Sequence, residues 1–253
     1  MKKYILLISI LVLITSCKSY FVNSYLKSIG VYDNKIILEK LVSNDKEIVC
    51  IGMHHLGKKE FYDDVKTKID SLKKEEYFFY LEGIGSDFSN KSSINKTDSL
   101  GLIELAYKLR KINGNFPISK GFKIDYSEYF KQKGIKLREV LMNQPSYVEF
   151  GLSTINSKNT DLKIEELLKI YEAKKGKIIL DSCDYKTPYF EKSICKSKSD
   201  KKTYDKIIFD ERNNSIISHI LSDKKRKIAI IYGKIHFIGI KDSLQKIGYK
   251  IVQ

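Results

Sequence analysis

The chain lacks the short patterns that mark several common chemistries. No Cys-x-x-Cys pair occurs among its four cysteines, which argues against a thiolate zinc site. It has no Gly-x-Ser-x-Gly elbow, and no cysteine stands at a strand end beside a histidine, which argues against a serine or cysteine nucleophile. No low-complexity run divides it, so it reads as one domain. Arginine occurs only at Arg110, Arg138, Arg212 and Arg226. The net charge of +15 is therefore carried almost wholly by lysine, spread along the whole length. No basic stretch alternates with stacking aromatics, so the surplus reads as a solvated surface and no nucleic-acid partner is expected.

What is present begins with an export signal. Lys2 and Lys3 precede an apolar run from Tyr4 to Ile14, and Thr15-Ser16-Cys17 follows. A basic start, an apolar core and small residues before a cysteine are the pattern of a bacterial lipoprotein signal. On this reading residues 1–17 are the signal with its lipobox cysteine, and acylated Cys17 holds the protein to a membrane. Each buried methylene contributes about 0.8 kcal/mol to that attachment. The expected place is the cell envelope, lipid-anchored at the periplasmic face, the outer membrane or the cell surface. Residues 18–46 read as a helical or linker segment, with a short helix over Tyr20 to Ile29, and residues 47–253 as the domain proper.

The domain opens with strand, loop, helix, strand. Ile48 to Ile51 is an unbroken apolar run, as expected of a strand covered on both faces. Gly52 is expected to open a turn that carries His54 and His55 before Gly57. Phe61, Val65, Ile69 and Leu72 recur at helical spacing between Glu60 and Lys74, and a second run, Tyr77 to Leu81, ends on Glu82. Such a strand, helix and strand make a parallel unit with a right-handed crossover, and ligands bind outside the carboxyl ends of the strands in open α/β sheets. His55 and Glu82 are thus expected to be neighbours. Near the far end, Ile228 to Tyr232 is another buried-strand run, followed by Gly233, His236 and Gly239. Gly-x-x-His therefore occurs twice, each time after an apolar strand. The expected fold is α/β, a single domain with a mainly parallel central sheet flanked by helices and its site at the strands' carboxyl ends.

Further helices are expected over residues 98–112, 164–173 and 205–221. In the last, Arg212, Ile216 and Ile220 share one stripe, so the guanidinium turns inward and needs a carboxylate or carbonyl partner. Asn213 reads as a hydrogen-bonding support and His219 as a surface residue. Phe122 to Ile124 reads as strand or loop, leaving Asp125 as a catalytic candidate or part of a turn, and Lys177 to Leu180 reads as strand or helix end before Asp181. Cys50 reads as a small buried hydrophobe. Cys183 and Cys195 flank one loop, where an exported protein permits a disulfide.

Two imidazoles and a carboxylate at strand ends, His55, His236 and Glu82, suit manganese, cobalt, zinc or iron(II) with positions left for water and substrate. Glu82 is a ligand or the general base; the residues leave both open. The motifs as a set resemble the TraB/GumN/Tiki family, over residues 47–85 and 205–252. That family pairs two Gly-x-x-His motifs with a glutamate and an Arg-Asn helix ahead of the second histidine. The resemblance implies a divalent-metal-dependent hydrolase acting on a peptide or protein, as in Tiki proteases, with TraB members acting in peptide-pheromone shutdown. It implies His55, Glu82 and His236 at the metal, Glu82 and Arg212 in catalysis, and Gly52, His54, Gly57, Asn213, Gly233 and Gly239 in support. Met53 stands where many members have threonine, and His54 is an addition to the pattern. The competing reading is a non-catalytic lipoprotein that captures a peptide or haem in the same pocket.

Overall fold

The computed structural model describes residues 18–43, 45–83, 96–113, 126–195 and 201–252. Residues 1–17 with Cys17, residues 84–95, and Phe122 to Ile124 with Asp125 lie outside the described residues. Residues 18–28 are helical (α1) and lead to β1 (Glu39–Val42). Next come β2 (Glu47–Met53), β3 (Leu56–Gly57), α2 (Lys59–Lys74) and β4 (Phe78–Leu81). The middle holds α3 (Lys96–Ile112), α4 (Tyr126–Gln132), β5 (Met142–Asn143), β6 (Ser157–Asn159) and α5 (Ile164–Lys175). The chain closes with α6 (Lys201–Ser222), β7 (Lys227–Gly233), α7 (His236–Lys246) and β8 (Lys250–Val252).

Six strands form one sheet in the order β6-β4-β7-β2-β1-β8. The β6-β4, β4-β7 and β7-β2 pairs are parallel, and β1 runs antiparallel to both β2 and β8. The fold is therefore α/β with a mainly parallel sheet, as the apolar runs imply. Residues 18–46 contribute more than a lead-in, because β1 is an interior strand.

Alternation along the strands explains why their sequences are apolar without a break. Val49, Ile51, Phe79, Leu81, Ala229 and Ile231 turn to one face and meet Phe61, Val65, Ile69 and Leu72 of α2. Ile48, Cys50, Tyr80, Ile228, Ile230 and Tyr232 turn to the other, against Ile216 and Ile220 of α6 and Phe237, Ile240 and Leu244 of α7. Each valine, leucine, isoleucine or phenylalanine among them, fully buried, contributes about 1.5–3 kcal/mol. Three expectations are corrected here. β7 lies between β2 and β4, so those two are not adjacent and their ends stand roughly 10 Å apart, two strand spacings. β2 continues through Gly52 to Met53, and Lys177 to Leu180 is irregular, neither strand nor helix end.

Candidate functional site

The last residues of β4 and β7, and the start of α7, bring the charged groups together. The Glu82 amide donates to the Ile231 carbonyl at 3.0 Å, continuing the β4-β7 ladder past the end of β4. Its side chain then reaches across to β7, where the Gly233 amide donates to Oε2. A Cβ at Gly233 would meet Oε2 at 3.3 Å, so glycine leaves room for the carboxylate. Neither Gly52 nor Gly233 has a positive φ. At Gly233 the value of glycine is close approach and not turn formation, as at Gly57, where a Cβ would meet the Tyr62 ring at 3.2 Å. A Cβ at Gly52 would make only ordinary contact with the Lys234 side chain, at 3.4 Å.

Arg212 occupies the centre. It is buried on α6, in line with Ile216 and Ile220, and its Nη2 lies 2.5 Å from Glu82 Oε1. Asp161 takes the guanidinium in a forked grip, Nε to Oδ1 at 2.8 Å and Nη2 to Oδ2 at 2.6 Å. Two-point pairing of this kind is among the stronger hydrogen-bonded arrangements in proteins. The aspartate is itself fixed by the Gly83 and Leu162 amides, at 3.1 and 2.9 Å. Burial alone would raise the Glu82 carboxyl; the Arg212 guanidinium and the Gly233 amide outweigh it and hold its pKa below the usual value.

His236 is the first residue of α7 and not a loop residue, and it is buried. Arg212 Nη1 lies 3.1 Å from its Nε2, and Asn213 Oδ1 lies 2.8 Å from its Nδ1. A guanidinium can only donate, so Nε2 accepts and the proton sits on Nδ1, donated to Asn213. Burial, then the charge of Arg212, lower the His236 pKa and keep the ring neutral. Its contact with Glu82 Oε1, 3.6 Å, is accordingly not an ion pair. Gly239 completes the arrangement: a Cβ there would stand 2.5 Å from the Asn213 amide nitrogen, so any larger residue would have to displace that amide.

Of the expected residues, Glu82, Arg212, Asn213, Gly233, His236 and Gly239 converge. His55 does not join them directly. It is exposed, with its ring stacked on Tyr126 at 5.9 Å and nearly parallel, at 2°. Tyr126 in turn feels the Glu82 charge, which, after burial, raises its hydroxyl pKa. His55 is thus the rim of the site. His54 turns away to pack on Phe61 at 5.6 Å, and His219 is half-buried against Tyr80 at 6.3 Å. Asp161 and Tyr147 are additions. Tyr147 donates to the Glu82 carbonyl at 2.7 Å, and Asp161 follows the short polar strand β6, which carries no apolar pattern to mark it. A groove of about 810 Å³ at the opposite edge, lined by Lys73, Tyr77, Phe78, Lys225 and Lys227, contains none of these residues. The cluster, where buried charges converge, is the better candidate.

A comparison of the chain with protein-family models, with curated proteins and with solved structures found no match in any of the three. The family resemblance therefore rests on the motifs alone. Among the described residues, no three His, Cys, Asp or Glu side chains converge to hold a metal ion. Donor chemistry suits a cation, and in this arrangement Arg212 takes up Glu82 Oε1 and His236 Nε2.

Proposed function

We propose that the chain is an envelope hydrolase, peptidase-like in the sense the TraB/GumN/Tiki resemblance implies, with its site at the carboxyl ends of β2, β4 and β7. The observation that carries this reading is the cluster of Glu82, Asp161, Arg212 and tautomer-fixed His236 at the strand ends. Removing such charges from water costs several kcal/mol per ion, and packing alone would hold α6 to the sheet at no such cost.

In this reading Arg212 supplies a fixed hydrogen-bond donor, since the two carboxylates around it offset its charge. Held from one side by Asp161 and from another by Glu82, the guanidinium cannot drift, so its position is fixed before a substrate arrives. A donor placed in advance in this way stabilises a developing carbonyl oxyanion without rearrangement. His55, at the exposed rim, takes the proton from the attacking water. Glu82 and Asp161 position Arg212, and His236 supports its far side. Glu82 is a poor base here, since its pKa is depressed and both its oxygens are engaged.

The cation that the resemblance implies would need Arg212 to release Glu82 and His236. Two carboxylates against one guanidinium leave a negative charge in excess, which favours such a cation. A peptide-library cleavage assay with and without chelator separates the two forms. We expect cleavage that survives chelation and falls about 100-fold or more in kcat in Arg212→Lys, a loss typical of removing one oxyanion donor. Activity abolished by chelator and restored by manganese, cobalt, zinc or iron(II) would move the oxyanion-stabilising role to the metal. Tight peptide or haem binding with no cleavage would instead favour the non-catalytic lipoprotein.

A further inference from the structure

The helix next to the acylation signal carries an aromatic face that packs on nothing described. α1 is held to the domain by Leu26, which joins Val31 and Tyr32 in a cluster with Leu56 and Leu141. Its other side presents Tyr20, Phe21 and Tyr25, which are 71, 68 and 63 % exposed. The Tyr20 and Phe21 rings meet edge to face at 5.8 Å, and Lys18 and Lys27 are exposed on the same helix. Tyrosine and phenylalanine flanked by lysine suit the headgroup layer of a bilayer: the rings enter the acyl boundary while hydroxyls and ammonium groups stay among the headgroups. Lysine adds attraction to anionic lipid.

What covers this face is indicated by its place in the chain. Cys17, the acylation site on the sequence reading, directly precedes α1. A bilayer that holds Cys17 is then the surface nearest to Tyr20, Phe21 and Tyr25. We propose that these three residues lie in the headgroup layer of the anchoring membrane and fix the orientation of the domain on it. The proposal rests on the acylation of Cys17 and is independent of the hydrolase reading.

Orientation follows from what α1 touches. Leu56, which it packs against, immediately follows His55. Lys234, just past the end of β7, donates to the Ile29 carbonyl at 3.5 Å. Ile235 and Ile238, at the start of α7, are also exposed. The carboxyl edge of the sheet, with the candidate site, therefore faces the bilayer. Ile155, beside the groove at the amino-terminal edge and 90 % exposed, faces away.

The chain contains no tryptophan, so a single introduced indole reports its own surroundings. Acylated protein carrying Phe21→Trp, and separately Ile155→Trp, is placed in phosphatidylcholine and phosphatidylglycerol vesicles with bromine-labelled acyl chains. Acylation of each sample is verified by intact mass. We expect Phe21→Trp to shift to shorter wavelength and lose most of its emission, and Ile155→Trp to do neither. Tyr25→Trp is the second probe and should follow Phe21→Trp. Acylated protein with both α1 indoles unquenched overturns the proposal, and cross-linking of α1 to α1 would show that a second copy covers the face instead. Absence of acylation overturns it too, leaving the hydrolase reading untouched.

Discussion

Arg212 shows best what one residue does here. Its inward direction is legible from its stripe with Ile216 and Ile220, and so is its need for an acidic partner. The identity of the second partner is not, because Asp161 follows β6, whose three residues, Ser157, Lys158 and Asn159, have no strand signature. Arg212→Ala leaves two carboxylates facing each other in the interior and should cost about 3–5 kcal/mol in urea unfolding. A loss under about 0.5 kcal/mol would contradict the buried pairing. Gly239→Ala should push the Asn213 amide off His236 and free the imidazole tautomer. Overpacking of this kind costs about 1–3 kcal/mol. A crystal structure of the variant with the Asn213–His236 hydrogen bond intact would contradict that role. His54 gives a pH dependence: burial, then the charge of Lys234, lower its pKa to about 4. An unfolded histidine titrates near 6.5, so on acidification the unfolded chain takes the proton first. The stability His54 contributes is full above about pH 6.5 and is lost as pH falls to about 4. His54→Gln should flatten the decline in urea midpoint over that window, and an unchanged slope would contradict it.

At the scale of elements, period and length make most helices and buried strands legible, since each is a local pattern of apolar side chains. The disulfide loop was legible only as a spacing. The structure pairs Cys183 with Cys195, Cα to Cα 5.9 Å, and the loop between them has a partner that sequence did not indicate. Arg110 of α3 is buried under it and donates to the Asp184, Thr187, Pro188 and Glu191 carbonyls. A guanidinium satisfied by main-chain carbonyls leaves no pairing of opposite charges to look for in the sequence. The double variant Cys183→Ser and Cys195→Ser should lose about 2–3 kcal/mol, the loop-closure entropy of a dozen residues. It should also make the loop the first segment to exchange amide hydrogens. Protection unchanged from the parent would mean that Arg110 alone holds the loop.

The whole molecule was legible as α/β with a mainly parallel sheet, but not in its strand order. Nothing local tells β7, near the end of the chain, to pair between β2 and β4; that choice is made by the faces that α2, α6 and α7 cover together. It moves His55 to the rim and sets Glu82 beside Gly233 and His236, so the site exists only once both ends of the chain have joined one sheet. The proposed hydrolase depends on that assembly. The most direct measurement is peptide-library cleavage by purified protein, read by mass spectrometry, for wild type, His55→Ala and Arg212→Lys, each checked for native circular dichroism. The account predicts new fragments with wild type and their loss in both variants while the fold is kept. Wild type that leaves every peptide whole, with or without added divalent cations, or variants that cleave as fast as wild type, would contradict it.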